Sequence, residues 1–222
     1  MKKTYLLGAI AALTVAVPSV AANLIANGGF ENGFDNLKVT DVGVGSLPVV
    51  IAYGQAGQYP VGAYGESITA PVNGGTSAAY FSSDTASPHS LSQIVDVAAN
   101  TTYTLSFDYY VPLNGYNNPF DASLSFLIDG VAAGSPLVAG SPGSLTPQKW
   151  YTFSTTFTSG ATGGATPLAF QFRGLGSTAA DFAVDNVSMT AVPEPATWAL
   201  MIGGFALAGM QLRRRKSSVS FA

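Results

Sequence analysis

The sequence predicts an all-β fold, a single antiparallel β-sandwich set between two apolar chain ends. Three observations predict it. Residues 102–111 (TYTLSFDYYV) alternate, with Tyr103, Leu105, Phe107, Tyr109 and Val111 on one face and Thr102, Thr104, Ser106, Asp108 and Tyr110 on the other, a period of two that only a strand satisfies. Asp129-Gly130 separates two apolar runs as a hairpin dipeptide. Between the two ends no amphipathic helix of convincing length is found, while turns of Gly, Ser, Asn and Pro space the short apolar runs.

Taken in order, residues 23–37 (NLIANGGFENGFDNL) open with a short apolar strand and an Asn27-Gly28-Gly29 turn; Phe30 is a candidate core anchor, followed directly by Glu31. Residues 38–75 are rich in Gly, Pro and Tyr, with one strand expected at 47–53 and the remainder in loops. Strands follow at 78–82, 91–97, 102–111, 122–128 and, after the Asp129-Gly130 turn, 131–138. Residues 150–158 alternate with Tyr151, Phe153 and Phe157 on one side; Leu168, Phe170 and Phe172 mark the next strand, and residues 181–190 the last. No internal repeat is present, and one domain over 23–190 is the expectation.

The ends differ in kind from this domain. Residues 1–22 have a basic start (Lys2, Lys3), an apolar stretch over 6–17, the helix breakers Pro18 and Ser19, and small residues at Ala21 and Ala22. That pattern is a secretory signal with cleavage after Ala22. At the other end, Pro193, Glu194 and Pro195 form a stiff linker within 191–195, because proline fixes its own backbone and holds the preceding residue extended. Residues 196–212 are apolar and, at 17 residues, at the lower end of the roughly 17–25 needed to span a bilayer. Trp198 suits the outer interface, and Arg213, Arg214, Arg215 and Lys216 suit the cytoplasmic side of a transmembrane helix, with 213–222 as a basic tail.

Of the 222 residues, 47% are hydrophobic and only 9% charged, and the net charge is −3. Residues 23–192 alone carry three cations (Lys38, Lys149, Arg173) against eleven acids, a net of −8. Such a domain offers no basic footprint for nucleic acid. The absence of cysteine removes disulfides, thiolate metal sites and cysteine nucleophiles. About 170 residues suffice to bury a core without them.

Two resemblances emerge from these residues. NLIANGGFE, SLSQIVDVAANTTYTLSFDYYV, KWYTFSTTFTSG and FAVDNVSM resemble, in order and over most of 23–190, the galactose-binding-like jelly rolls of carbohydrate-binding modules. The shared pattern is an N-x-G-F-E start, here with an extra glycine, a Q-x-V pair of strands, a tryptophan strand and a final D-N-V strand. The second, VPEPATWALMIGGFALAGMQLRRRK, resembles the PEP-CTERM sorting signal of Gram-negative, biofilm-forming bacteria, also called the ice-binding-protein C-terminal domain. One departure is the extra SSVSFA beyond the basic cluster.

The sorting resemblance implies export through the Sec translocon, signal peptidase processing, and a transient stay at the inner membrane. An exosortase would then cut near the Pro-Glu-Pro triplet and release the protein to the cell surface or its exopolysaccharide matrix. The jelly-roll resemblance implies a non-catalytic glycan-binding or structural module. It also implies a structural Ca2+ shared by Glu31, in the first strand, and Asp185, in the last, the alternative being that both are solvated acids at strand ends; no cofactor is required. Most of the six to eight oxygens calcium takes would then come from backbone or water.

No catalytic residue is assigned. His89, the only histidine, lies in Ser-Pro-His-Ser and reads as a turn residue, with no G-x-S-x-G elbow near any serine. Gly74-Gly75 and Gly163-Gly164 lack a following helix or lysine and read as turns. Tyr53, Tyr59, Tyr64, Tyr110, Tyr116 and Trp150 are the aromatics that sugar rings could stack on, with Trp150 expected at a sheet edge. Two rival readings remain: a secreted glycan-active enzyme using two of the acids, and an adhesive or ice-contacting surface protein. The second needs a regular hydroxyl array, and Thr101, Thr102, Thr104, Thr152, Thr155, Thr156 and Thr158 read as too irregular.

Overall fold

Apolar side chains at every second position force an extended chain to bury one face, and two such sheets then cover each other. The computed structural model shows this outcome. It describes residues 21–41, 48–55, 63, 66–83, 87–113, 122–138, 146–174, 180–193 and 195–214. The strands are β1 (Lys38–Asp41), β2 (Val49–Ala52), β3 (Ser77–Ser83), β4 (His89–Val97), β5 (Thr102–Tyr110), β6 (Ala122–Ile128), β7 (Val131–Ala132), β8 (Leu137–Val138), β9 (Trp150–Thr158), β10 (Gly164–Gly174) and β11 (Ala180–Ala191). One helix, α1, spans Pro195–Arg214.

The strands form two antiparallel sheets. One runs β1-β4-β10-β6-β7 with β8 also on β6; the other runs β2-β3-β11-β5-β9. Successive strands mostly alternate between sheets, as in a jelly roll. The core fills the gap between inner faces: Tyr103, Leu105, Phe107 and Tyr109 of β5 meet Leu124, Phe126 and Ile128 of β6 and Leu168, Phe170 and Phe172 of β10. Phe107 sits at its centre, stacked on Phe153 at 4.9 Å and edge-on to Phe170 at 4.9 Å, spacings at which aromatic pairs add about 0.5–1.5 kcal/mol beyond burial.

Three sequence expectations change. The run 131–138 is not one strand: β7 and β8 are separate, because Gly134 (φ 101°) turns the chain and Pro136 supplies no N–H. β1 is an additional strand, pairing with β4 from Lys38↔Ser92 to Asp41↔His89. His89 is not in a turn but opens β4, fully buried, where its pairing with Phe172 of β10 places it inside the sheet.

The chain divides into two units, Ala22–Val192 and the two ends. Of the ends, residues 1–20 with the signal-peptide pattern lie outside the described residues. Helix α1 begins one residue earlier than expected, at Pro195, a position where proline's missing N–H costs nothing. Its side chains are described for 201–213. Among the described residues no helix is long and apolar enough to cross a membrane.

Candidate functional site

The opening stretch expected as a first strand carrying Glu31 is instead a turn: only Asn23 makes an isolated bridge, to Thr190, and Glu31 lies in the turn that follows. Asn27 and Phe30 adopt left-handed backbone angles (φ 55° and 56°), uncommon for any residue other than glycine and held only by surrounding structure. The Asn27 side chain supplies part of that hold, donating to the Gly33 carbonyl at 2.9 Å and accepting from the Asn32 N–H at 3.2 Å. Phe30 is buried and meets Phe34 edge-on at 6.2 Å. The turn is seated on a bulge in β11, where pairing with β5 shifts between Asp185 and Ser188. There the Val187 N–H donates to the Gly28 carbonyl at 2.9 Å. A Cβ on Gly28 would lie 2.1 Å from the Val187 carbonyl oxygen, so no larger residue fits.

This seating aims Glu31 and Asp185 at one place. Glu31 Oε1 accepts the Thr76 and Ser77 N–H groups at 2.8 and 3.1 Å, and Oε2 accepts the Thr76 hydroxyl at 2.6 Å. The Thr76 hydroxyl bond is the main reason its carboxyl titrates below the usual range. Asp185 is fully buried; Oδ2 accepts the Tyr53 hydroxyl at 2.6 Å and Oδ1 its neighbour's Asn186 N–H at 2.6 Å. Burial pushes the Asp185 carboxyl up to about 6, the two hydrogen bonds oppose that rise, and the nearby Glu31 and Asp108 charges add to it. Burial, and then the bond to Asp185, also raise the Tyr53 phenol above its ordinary value. Asp108 completes the patch, accepting from Asn186 Nδ2 at 2.8 Å and the Thr152 hydroxyl at 2.6 Å.

Gly74 and Gly75 line the space between the acids. A Cβ on Gly74 would stand 2.5 Å from Asp185 Oδ2, and one on Gly75 2.3 Å from Glu31 Oε1. The two residues expected to share calcium are therefore neighbours across a glycine cradle, and their hard oxygens are of the kind calcium takes. Among the described residues no group of three or more His, Asp or Glu is arranged to hold a metal ion.

The chain from Glu66 to Thr76 straps over the outer face of the β2-β3-β11-β5-β9 sheet. Glu66 accepts from the Tyr110 hydroxyl at 2.8 Å and the Leu113 N–H at 2.7 Å. Trp150 Nε1 donates to the Thr69 carbonyl at 2.7 Å, and Asn186 Nδ2 to the Val72 carbonyl at 2.9 Å. Beneath lies a second apolar cluster with Ile51, Ile68, Tyr80 and Ala183.

The strap corrects the aromatic reading. Tyr110, expected on an open polar face, is buried, and its phenol is raised first by that burial and then by the bond to Glu66. Trp150 sits at the sheet edge as expected, 5.3 Å from the Tyr110 ring and 6.1 Å from Tyr53. These rings hold the strap rather than offering a flat platform. Tyr59, Tyr64 and Tyr116 lie outside the described residues. The His89 Nε2 and Ser83 Oγ atoms are 3.0 Å apart, a pairing between the end of β3 in one sheet and the start of β4 in the other that the sequence did not reveal. Both are buried.

The hydroxyls beyond the strap are more regular than expected. Cross-strand partners place Thr102 opposite Thr158, Thr104 between Thr156 and Thr190, and Ser106 between Ser154 and Ser188. Thr101 and Thr155, which made the series look irregular, fall in a turn and on the other face. Several of the hydroxyls meet directly, Thr102 with Thr158 at 3.0 Å and Ser106 with Ser188 at 2.9 Å.

The sorting triplet follows the sandwich at once. β11 ends at Ala191, the Val192 N–H donates to the Thr102 carbonyl at 2.8 Å, and Pro193 comes next. Arg213 is exposed. Glu194 and Arg215 lie outside the described residues, as do the side chains of Trp198 and Arg214.

With this geometry in view, the fold is that of the carbohydrate-binding-module jelly rolls. TmCBM61, solved with β-1,4-galactotriose, superposes with a TM-score of 0.51 at 15% identity, covering 78% of this chain and 100% of its own. A Stig cyclase, Fisc from Fischerella sp. TAU, solved with an indole ligand, gives a TM-score of 0.52 at 15% identity over 79% and 99%. The same sandwich thus serves a binding module and an enzyme, and the likeness establishes fold alone. More particularly, residues 191–216 match the PEP-CTERM protein-sorting motif. No curated protein matches the sequence.

Proposed function

We propose that this chain is an exported protein whose β-sandwich is a non-catalytic, glycan-binding or structural module of the extracellular polysaccharide. An exosortase would detach it near Pro193–Pro195 after the signal peptide is removed at Ala22. The carrying observation is the sorting motif at 191–216 placed directly after the last strand. Cutting there leaves every strand of the sandwich intact. Before the cut, the apolar helix with its terminal arginines would hold the chain at the inner membrane. Mass spectrometry of protein from the cell exterior tests this: a mature chain starting at Asn23 and ending near the triplet supports it, and an intact Ala222 contradicts it.

Glycan binding is supported by the fold shared with TmCBM61 and by the acidic, hydroxyl-rich exterior. Retention of the mature protein on the host's exopolysaccharide, or on β-1,4-galactan, is the expected result. Glycan turnover abolished by substituting two acids would instead favour the enzyme.

The Glu31–Asp185 pair across the glycine cradle further supports a structural Ca2+, which would discharge the repulsion between the two acids. Chelator should then lower the melting temperature of the wild-type protein and leave an Asp185→Asn variant unmoved. Equal melting of the wild type with and without chelator would count against the ion.

A further inference from the structure

The opening residues of the sandwich lie against the end of its last strand. Asn23 forms an isolated antiparallel bridge with Thr190 of β11. The Leu24 N–H donates to the Met189 carbonyl at 2.8 Å, and Asn23 Oδ1 accepts the Met189 N–H at 2.8 Å and the Ile25 N–H at 3.1 Å. Both backbone groups of Met189 are thereby held by the N-terminal segment. From the opposite side β5 holds the residues that follow. Thr190 pairs with Thr104 and Ala191 with Tyr103, and the Val192 N–H donates to the Thr102 carbonyl at 2.8 Å. The end of β11 is clamped from both sides, and its Met189 side chain is fully buried. The ladder then stops within one residue, because Pro193 has no N–H to continue it.

An extended segment is captured by a partner through its free backbone groups, and those of Met189 and the Val192 N–H are already engaged. Drawing 189–192 into a catalytic groove therefore means peeling β11 and exposing Met189. We propose that Asn23 latches the end of β11 and makes the folded sandwich the stop that fixes where the tail is removed, so that the released chain ends at Pro193 or later. This rests on the sorting reading given above. The bond broken is a peptide bond, with water supplying a hydroxyl to the carbonyl carbon and a proton to the departing amine. Asn23 touches no reacting atom; it is a positioning residue, and it is the residue that signal-peptide removal leaves at the start of the chain.

Residues 23–222 in detergent, cut by a broad-specificity protease and read by mass, test the latch without any sorting enzyme. Wild-type sandwich fragments should end at Pro193 or later. Asn23 is exposed, so its replacement spares the core. Asn23→Ala removes the acceptor for the Met189 N–H and should open that end roughly fivefold more often, adding fragments that end within 189–192. Asn23→Asp keeps an acceptor oxygen and should restore the wild-type ends. Wild-type fragments ending within 189–192, identical ends from Asn23→Ala, or Asn23→Asp behaving as Asn23→Ala would each overturn the proposal. The exported protein separates this proposal from the reading it rests on. A C-terminus within 189–192 there overturns the stop alone, whereas a retained Ala222 overturns both.

Discussion

Asp185 carries electrostatic strain within the fold. It is buried beside two other acids, and its carboxyl is pushed up to about 6 from an ordinary value of 3.8. Between those values the folded chain binds a proton that the unfolded chain has released, so this residue's contribution to stability is present at low pH and lost as pH rises through 6. The cost is at most about 3 kcal/mol. In calcium-free buffer the melting temperature of wild type relative to Asp185→Asn should therefore fall between pH 4 and pH 6.5, and calcium should suppress that fall; a constant difference would refute it. Gly28 makes a second residue-scale case. Gly28→Ala drives a methyl into the Val187 carbonyl, and because backbone must move, a loss of about 2–4 kcal/mol in denaturant unfolding is expected. Neither effect was legible in the sequence. The Asn-Gly-Gly-Phe-Glu string marked a turn, but the bulge it sits on lies over 150 residues further along the chain. Glu31 and Asp185 were paired only through resemblance, since spacing alone places neither.

At the scale of elements, alternation decided what could be read. β5 was legible as a strand because one of its faces is core and the other mostly polar, but the burial of Tyr110 under the strap was not. β1 was not: four residues, KVTD, at a sheet edge carry too little pattern. The strap was equally hidden, since its grip on the sheet comes from single bonds by Glu66, Trp150 and Asn186. Trp150→Ala removes the bond to Thr69 and two ring contacts, and a half-covered tryptophan at such a site is worth about 2 kcal/mol. Limited proteolysis should then cut within 53–76 at temperatures where the wild-type strap resists, with the remaining strands protected. Unchanged proteolysis would show that the other bonds suffice.

For the whole molecule, the separation between cargo and address was the most legible feature. An acidic domain of alternating strands and an apolar, arginine-terminated tail have compositions that do not mix, and the fold divides at Val192, one residue before the triplet. The long-range pairing of β4 with β10 and of β5 with β11 was not legible, because strands of similar composition can pair in many orders. On the proposed function, the sandwich leaves the cell without its tail. The most direct measurement is the intact mass of the exported protein. The predicted mass corresponds to a chain from Asn23 to the neighbourhood of Pro193–Pro195 whose sandwich still unfolds cooperatively. A mass that retains the helix and Ala222 would contradict it.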